Sequence, residues 1–145
     1  FKAQATTVNL DSTERFSLGG PQGVRAFAPG EAPADEGQIF TAELRYLPPE
    51  SWFGRASREV VLSAFYDFGK ASQCHQVEGP YCLVTIGADP ATNDISFSGA
   101  GLGLTWDRPR ELGIRINVAW PINGQPLSDT LRREPRAYAT LTKYF

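Results

Sequence analysis

The chain contains a glycine-rich run and a histidine beside a cysteine, two features that could in principle bind a phosphate or a metal. The run GGPQG (19–23) lacks the Lys-Ser/Thr pair and the strand-to-helix setting of a phosphate-binding loop. His75 adjoins Cys74, and Cys82 lies close by, but these are too few ligands for a closed zinc site. The sequence therefore predicts no metal and no cofactor.

Catalytic groups are equally sparse. Glu43 and Asp67 could serve as a carboxylate pair for glycoside hydrolysis, but we interpret them as polar wall residues of strands described below. His75 is the one histidine of the chain, and it sits in a loop without a partnered nucleophile. We expect a protein that is not an enzyme.

The two cysteines, Cys74 and Cys82, flank the short loop CHQVEGPYC. Such close spacing in a turn-rich segment favours a local disulfide, formed in an oxidising compartment. Two free thiols are the alternative that the sequence leaves open.

Composition limits the class of protein. The chain has 145 residues, with 14 Lys+Arg against 16 Asp+Glu and a net charge of -2. This balance argues against a nucleic-acid partner, which would favour a basic excess. No apolar stretch approaches the roughly 20 residues of a membrane-spanning helix, so a helical membrane protein is excluded.

Alternation of apolar and polar residues with a period of two recurs along the chain and predicts six strands. These are segments 1–10, 38–46, 58–69, 94–106, 113–121 and 136–145. The segments 11–36, 70–93 and 123–135 are long connections rich in Gly, Pro and acidic residues, and long loops usually carry function. In the fourth strand, Gly99, Gly101 and Gly103 leave one face bare, so we expect something bulky against it.

The alternation alone does not decide which solvent meets the apolar face. Aromatics cluster at strand ends, as in the interfacial girdles of membrane barrels: Tyr46, Tyr66, Trp106, Trp120, Tyr144 and Phe145. The opposite faces carry Glu43, Arg45, Asp67, Arg115 and Asn117. This polar set suits either a water-filled lumen or the solvent face of a soluble β-sandwich.

An ordered set of motifs covers essentially the whole chain. The set begins with FSLGGPQGVRAF (16–27) and PGEA (29–32), and continues with ELRY (43–46), AFYDFG (64–69) and SGAGLGLTW (98–106). In order and spacing it resembles the C-terminal barrel of two-partner secretion transporters, of the hemolysin-activator or filamentous hemagglutinin transporter type, within the barrel-assembly superfamily.

The resemblance implies an all-β fold: an antiparallel transmembrane β-barrel of about sixteen strands, of which residues 1–145 would be the last six. Residues 11–36 would fold into the lumen as a hairpin. In this family, POTRA modules that recognise the substrate precede the barrel, and we expect them to be absent from this chain.

The resemblance also assigns roles to individual residues. The hairpin glycines would be Gly19, Gly20 and Gly23, and the tip would be Val24, Arg25, Ala26 and Phe27. Arg25 would dock on the barrel wall at Asp67, in the F-x-D-x-G strand that includes Phe65 and Gly69. The alternation independently puts Phe65 and Asp67 on the polar face. In the family, glycine usually follows the arginine, where this chain has Ala26.

By the same resemblance, Phe145 would end the signal that the barrel-assembly machinery reads. The implied function is an outer-membrane pore of a Gram-negative bacterium that secretes a large exoprotein, an adhesin or hemolysin, in contact with outer-membrane lipid. Two alternatives remain at this point: an outer-membrane insertase of the same superfamily, and a soluble β-sandwich binding module.

Overall fold

The structure, a computed structural model, describes residues 1–76, 82, 93–125 and 134–144. They form three very short strands and five long ones. The elements are β1 Lys2–Gln4, β2 Phe16–Ser17, β3 Pro33–Ala34, β4 Glu36–Tyr46, α1 Glu50–Phe53, a 3-10 helix Gly54–Arg58, β5 Val60–Ser72, β6 Asp94–Arg108, β7 Leu112–Asn123 and β8 Arg136–Lys143.

The long strands form one curled antiparallel sheet in the order β1-β4-β5-β6-β7-β8, and β2 and β3 form a separate two-stranded ribbon. From β4 to β8, strands that follow one another in the sequence lie side by side, as strands joined by hairpins do, and β1 pairs with β4 across the β2–β3 ribbon in the sequence. The prediction of six antiparallel strands is confirmed. The β-sandwich alternative is wrong, because within the described residues no second sheet packs over the apolar face of the first.

That apolar face, which we call the outer face, points away from the β2–β3 ribbon. Leu44 is 75% exposed and Leu141 69%, and Leu102 and Ile116 are exposed between them. Large apolar side chains in such a row are costly in water, at about 25 cal/mol per Å². Along β4, Phe40 and Tyr46 lie about 20 Å apart at the rise of an extended strand, which suits the roughly 25 Å apolar band of outer-membrane barrels.

The opposite, inner face is polar and is partly covered. Cross-strand rows place Thr41 beside Asp67 and Gly99, and the next row places Glu43 beside Phe65 and Gly101. The bare face of β6 is occupied, as expected. A Cβ added at Gly99 would overlap that of Ala26, and one added at Gly101 would overlap the Phe65 ring.

The first strand is shorter than the sequence predicts. We expected a strand over 1–10, but pairing with β4 stops at Gln4. Beyond it the Thr6 hydroxyl donates to the Val8 carbonyl at 2.9 Å and accepts from the Val8 amide at 3.3 Å. Such local side-chain bonds offer the backbone an alternative to the ladder, so the chain turns away toward β2.

Connections of unequal length mark the two ends of the sheet. One end, the short-turn end, carries the turns 47–59 and 109–111. At the other, the long-loop end, the chain leaves the sheet at Gln4, Ser72 and Asn123 and enters it again at Glu36, Asp94 and Arg136. Outer-membrane barrels have short periplasmic turns and longer external loops. The first turn contains α1, which the sequence did not predict. Phe145 and most of the loop after Gln76 lie outside the described residues.

No helix in the described ranges is both long and apolar enough to cross a membrane.

Candidate functional site

The segment 11–36, which we call the hairpin, folds back over the inner face of the sheet. At its root β2 pairs with β3, Phe16 opposite Ala34. Further in, the amides of Leu18 and Gly19 both donate to the Glu31 carbonyl, at 3.2 and 3.1 Å. The amide of Gly20 donates to the Phe27 carbonyl at 3.1 Å. A loop that satisfies its own backbone in this way can lie buried.

The three predicted hairpin glycines allow the tip to fold tightly. Gly20 has φ +112, a conformation that side chains with a Cβ rarely adopt. A Cβ at Gly19 would overlap the Ala28 carbonyl oxygen, and one at Gly23 would overlap that of Leu18. Ala26 is absent from the residues with positive φ, so alanine is accommodated where the family usually has glycine.

Apolar side chains of the hairpin press on the wall at further glycines. Leu18 and Val24 are fully buried, and a Cβ added to Gly69 would come within 2.7 Å of Leu18 Cδ1 and 3.0 Å of Val24 Cγ2. The Phe16 ring lies equally close over Gly37. The predicted wall residue Gly69 therefore makes room for the hairpin.

Arg25 meets Asp67 in a forked ion pair. Its Nε donates to Asp67 Oδ2 at 2.8 Å and its Nη2 to Oδ1 at 2.9 Å, and the Arg25 backbone amide adds a bond to Oδ2 at 3.2 Å. Asp67 is fully buried and Arg25 is 9% exposed. Two parallel charge-assisted bonds of this kind fix orientation as well as providing energy.

Two further groups complete the surroundings of the guanidinium. Its carbon lies 3.3 Å from the centroid of the Phe65 ring, a cation–π contact. Its Nη1 lies 3.5 Å from Glu43 Oε2, and the Arg45 Nε reaches Glu43 Oε1 at 2.7 Å. Two cations and two anions thus alternate from Asp67 through Arg25 and Glu43 to Arg45, so no charge of the cluster is left unbalanced.

Beyond the ion pair, the hairpin contacts two more strands. Phe27 stacks on Phe97 of β6 with ring centroids 4.0 Å apart and an interplanar angle of 5°. The Tyr138 hydroxyl of β8 donates to the Phe27 carbonyl at 2.7 Å. Three consecutive residues, 25–27, therefore contact β4, β5, β6 and β8.

The root of the hairpin is tied to the loop that follows β5. Buried Asp35 forms an ion pair with Arg15, whose Nε lies 3.2 Å from Asp35 Oδ1, and its Oδ2 accepts a hydrogen bond from the His75 amide at 3.1 Å. The Gln76 amide donates to the side chain of Asn9 at 2.7 Å. A disulfide joins Cys74 to Cys82, so it adjoins both contacts.

The turn at the start of the hairpin is held by one carboxylate. The Ser12 hydroxyl donates to Asp11 Oδ1 at 3.1 Å and the Thr13 amide to the same oxygen at 3.3 Å. These bonds, the Ser12 one foremost, hold the pKa of Asp11 below its usual value.

A cavity of about 370 Å³ lies under the hairpin, toward the short-turn end. Its lining is mostly polar and includes Gln22 of the hairpin and Arg45, Arg115 and Thr140 of the wall. In the described part of the chain, no three His, Cys, Asp or Glu residues gather as a metal site would require.

The structure brings together the residues that the sequence singled out at the tip and on the wall. Phe145 is the exception, since it lies outside the described residues. Sequence reasoning assigned no role to Phe97 or Tyr138. The signal for Tyr138 was present, because alternation in the last strand puts this aromatic on the polar face, opposite Ala137 and Ala139.

A curled antiparallel sheet that is apolar outside and carries a charged cluster inside is typical of the wall of a transmembrane β-barrel. The family comparison agrees. Residues 2–133 match the model of the Omp85 superfamily domain, and the chain belongs to this superfamily. The resemblance found in the sequence is confirmed, and membership implies a location in the outer membrane.

Curated relatives of the chain are named as transporters. Three curated proteins, each named heme/hemopexin transporter protein HuxB and from Haemophilus influenzae, are 29% identical to the chain over 115 residues. The match covers 79% of this chain and 18% of each relative, so the chain spans less than a fifth of their length. No solved structure matches the chain significantly.

Proposed function

We propose that this chain is part of the wall of an outer-membrane pore that secretes a large partner exoprotein of the adhesin or hemolysin type. The hairpin would act as the plug, docked on the wall through Arg25 and Asp67. The observation that carries the proposal is the buried, forked ion pair between a long loop and a barrel strand. The similarity to HuxB, named as a heme/hemopexin transporter, supports export over other barrel functions.

The geometry explains what the pair can do. A plug must be stable while the pore is at rest and must not leave an unpaired charge in the lumen. Removing one member of a buried ion pair typically costs about 3–5 kcal/mol, because the other charge stays behind. Docking at Asp67 therefore favours one defined position of the hairpin over an ensemble of loose ones.

The remaining parts of the proposal concern what surrounds the chain. We propose residues 1–145 as the C-terminal part of the barrel, with POTRA modules elsewhere in the protein, lipid on the outer face, and the assembly machinery reading Phe145. The chain would act by conformation, without catalytic residues or a cofactor. An insertase of the same superfamily is the alternative, and no contact described here favours it.

Secretion measured with the full-length protein tests the proposal. Arg25→Ala and Asp67→Ala should each lower the exoprotein in the culture medium at least tenfold while the barrel still reaches the outer membrane. Arg58→Ala is the matched control, since Arg58 pairs with Glu50 on the exposed short-turn end and should secrete normally. Normal export by either Arg25→Ala or Asp67→Ala would refute the proposal.

A further inference from the structure

The tip of the hairpin makes polar contacts with the wall at two separated places, and only one of them is the site of the arginine–aspartate pair. The second is the bond of 2.7 Å from the Tyr138 hydroxyl to the Phe27 carbonyl. The two attachment points lie on β5 and β8, with β6 and β7 between them in the sheet. The tip therefore spans the inner face rather than resting on a single strand.

Between these two points, the inner face of the sheet has small residues where the hairpin tip passes over it. Gly101 and Ala119 are paired neighbours on β6 and β7, and Ala119 is fully buried. Because their side chains are absent or small, they leave space between β5 and β8 for the hairpin tip to lie close to the sheet. A tyrosine is long enough to carry a hydroxyl from β8 to the hairpin backbone, which a serine or threonine at the same position could not do.

The bond has a specific acceptor. The Phe27 carbonyl already accepts the Gly20 amide at 3.1 Å, and a carbonyl oxygen has two lone pairs. Tyr138 thus fills the second acceptor site of a carbonyl that also closes the hairpin turn. The Phe27 ring, stacked on Phe97, holds that carbonyl in place.

We propose that Tyr138 is a positioning residue that latches the hairpin tip to β8, so that the hairpin is released from the wall only when both the ion pair and this hydrogen bond open. Any consequence for export rests on the proposed function above. The latch itself does not, because it concerns where the hairpin lies.

The test uses the full-length protein in detergent or nanodiscs, with a nitroxide spin label attached at Gln22→Cys. Gln22 is an exposed hairpin residue. The spectrum separates a mobile from an immobile label population. A net hydrogen bond of ordinary strength predicts that Tyr138→Phe raises the mobile-to-immobile ratio on the order of fivefold. Arg25→Ala should raise it further.

Two matched variants identify the hydroxyl as the cause. Tyr66→Phe removes a hydroxyl on the outer face and should leave the ratio unchanged. Para-aminophenylalanine at position 138 restores a donor to the ring and should return the ratio to the wild-type value. If only the ring of Tyr138 mattered, Tyr138→Phe and the para-amino variant would give the same ratio.

The proposal is overturned if the ratio in Tyr138→Phe equals that of the wild type, if Tyr66→Phe raises it as much, or if the para-amino variant does not restore it. Should Tyr138→Phe fail to assemble, the para-amino variant decides alone: a wild-type ratio supports the latch and a raised ratio overturns it. If Arg25→Ala mobilises the label yet exports normally, the latch stands and the proposed function fails.

Discussion

Arg25 is held by a fork of two hydrogen bonds, by the face of an aromatic ring and by a second carboxylate. Each contact uses a different property of the guanidinium: its planar donors, its weakly hydrated face and its charge. Lysine shares only the charge. The site is therefore specific for arginine rather than for a cation.

This specificity predicts the result of a conservative change. Arg25→Lys should lose about 1–3 kcal/mol of the interaction, because the fork and the ring contact are lost while the charge remains. Arg25→Ala should lose about 3–5 kcal/mol, since it also strands the buried Asp67 carboxylate. Denaturant unfolding in detergent should rank the variants in that order. A lysine variant as stable as the wild type would contradict the account.

Gly101 supports Arg25 indirectly. Because it has no side chain, the Phe65 ring packs directly against the β6 backbone, and the guanidinium lies over that ring. The Cβ of Gly101→Ala would overlap both the Phe65 ring and the Val118 carbonyl oxygen, and we expect it to destabilise the protein by about 1–3 kcal/mol, a typical cost of overpacking. Gly113→Ala is the control, because the nearest atom to its added Cβ is the Asp107 carboxylate at 3.3 Å. Equal unfolding midpoints for the two variants would show that stability does not depend on the missing side chain at Gly101.

At the scale of elements, the root of the hairpin depends on the loop after β5. The disulfide between Cys74 and Cys82 closes a short loop, a constraint worth about 2.5 kcal/mol in the chain-entropy picture. This constraint keeps the amides of His75 and Gln76 near their acceptors on Asp35 and Asn9.

Replacing both cysteines by serine should loosen this root without unfolding the sheet. Hydrogen exchange should then speed up at least tenfold at the His75 and Gln76 amides, since they lose the restraint on their loop. Amides of β6, paired on both sides, provide the internal control and should exchange as before. Unchanged exchange at His75 and Gln76 would mean that the disulfide does not support the hairpin root.

The sequence predicted the long strands well, because period-two alternation reports directly on a sheet with two different faces. It missed the early end of β1, which depends on Thr6 bonding its own backbone, and α1, which is too short to show a period. At the site, motif resemblance led to Arg25 and Asp67. The alternation places Tyr138 on the inner face, but it does not identify the residue's hydrogen-bond partner, which lies 111 residues away.

At the scale of the whole molecule, the sheet separates two environments. The outer face exposes leucines and isoleucines between rows of aromatics, and the inner face carries the hairpin and the charged cluster. The proposed function accounts for both faces, because it places lipid against the outer face and water or a polypeptide against the inner one. The hairpin covers the inner face where glycines of the sheet, such as Gly69 and Gly99, leave room for it.

A charge placed on each face should therefore have opposite consequences. Leu102→Arg puts a guanidinium into the apolar band and should destabilise the folded barrel in lipid by about 2–4 kcal/mol. Thr142→Arg puts the same group on the inner face near Asp107 and should be nearly neutral. Folding titrations in lipid vesicles measure both. Equal tolerance of the two variants would be inconsistent with a lipid-facing outer surface.

The central claim is that Arg25 and Asp67 act as one unit in export. Secretion by the full-length protein, measured for Arg25→Ala, Asp67→Ala and the double variant, tests it as a double-mutant cycle. The account predicts that each single variant secretes at least tenfold less and that the double variant is no worse than the poorer single one. Losses that multiply in the double variant, or normal secretion by either single variant, would contradict it.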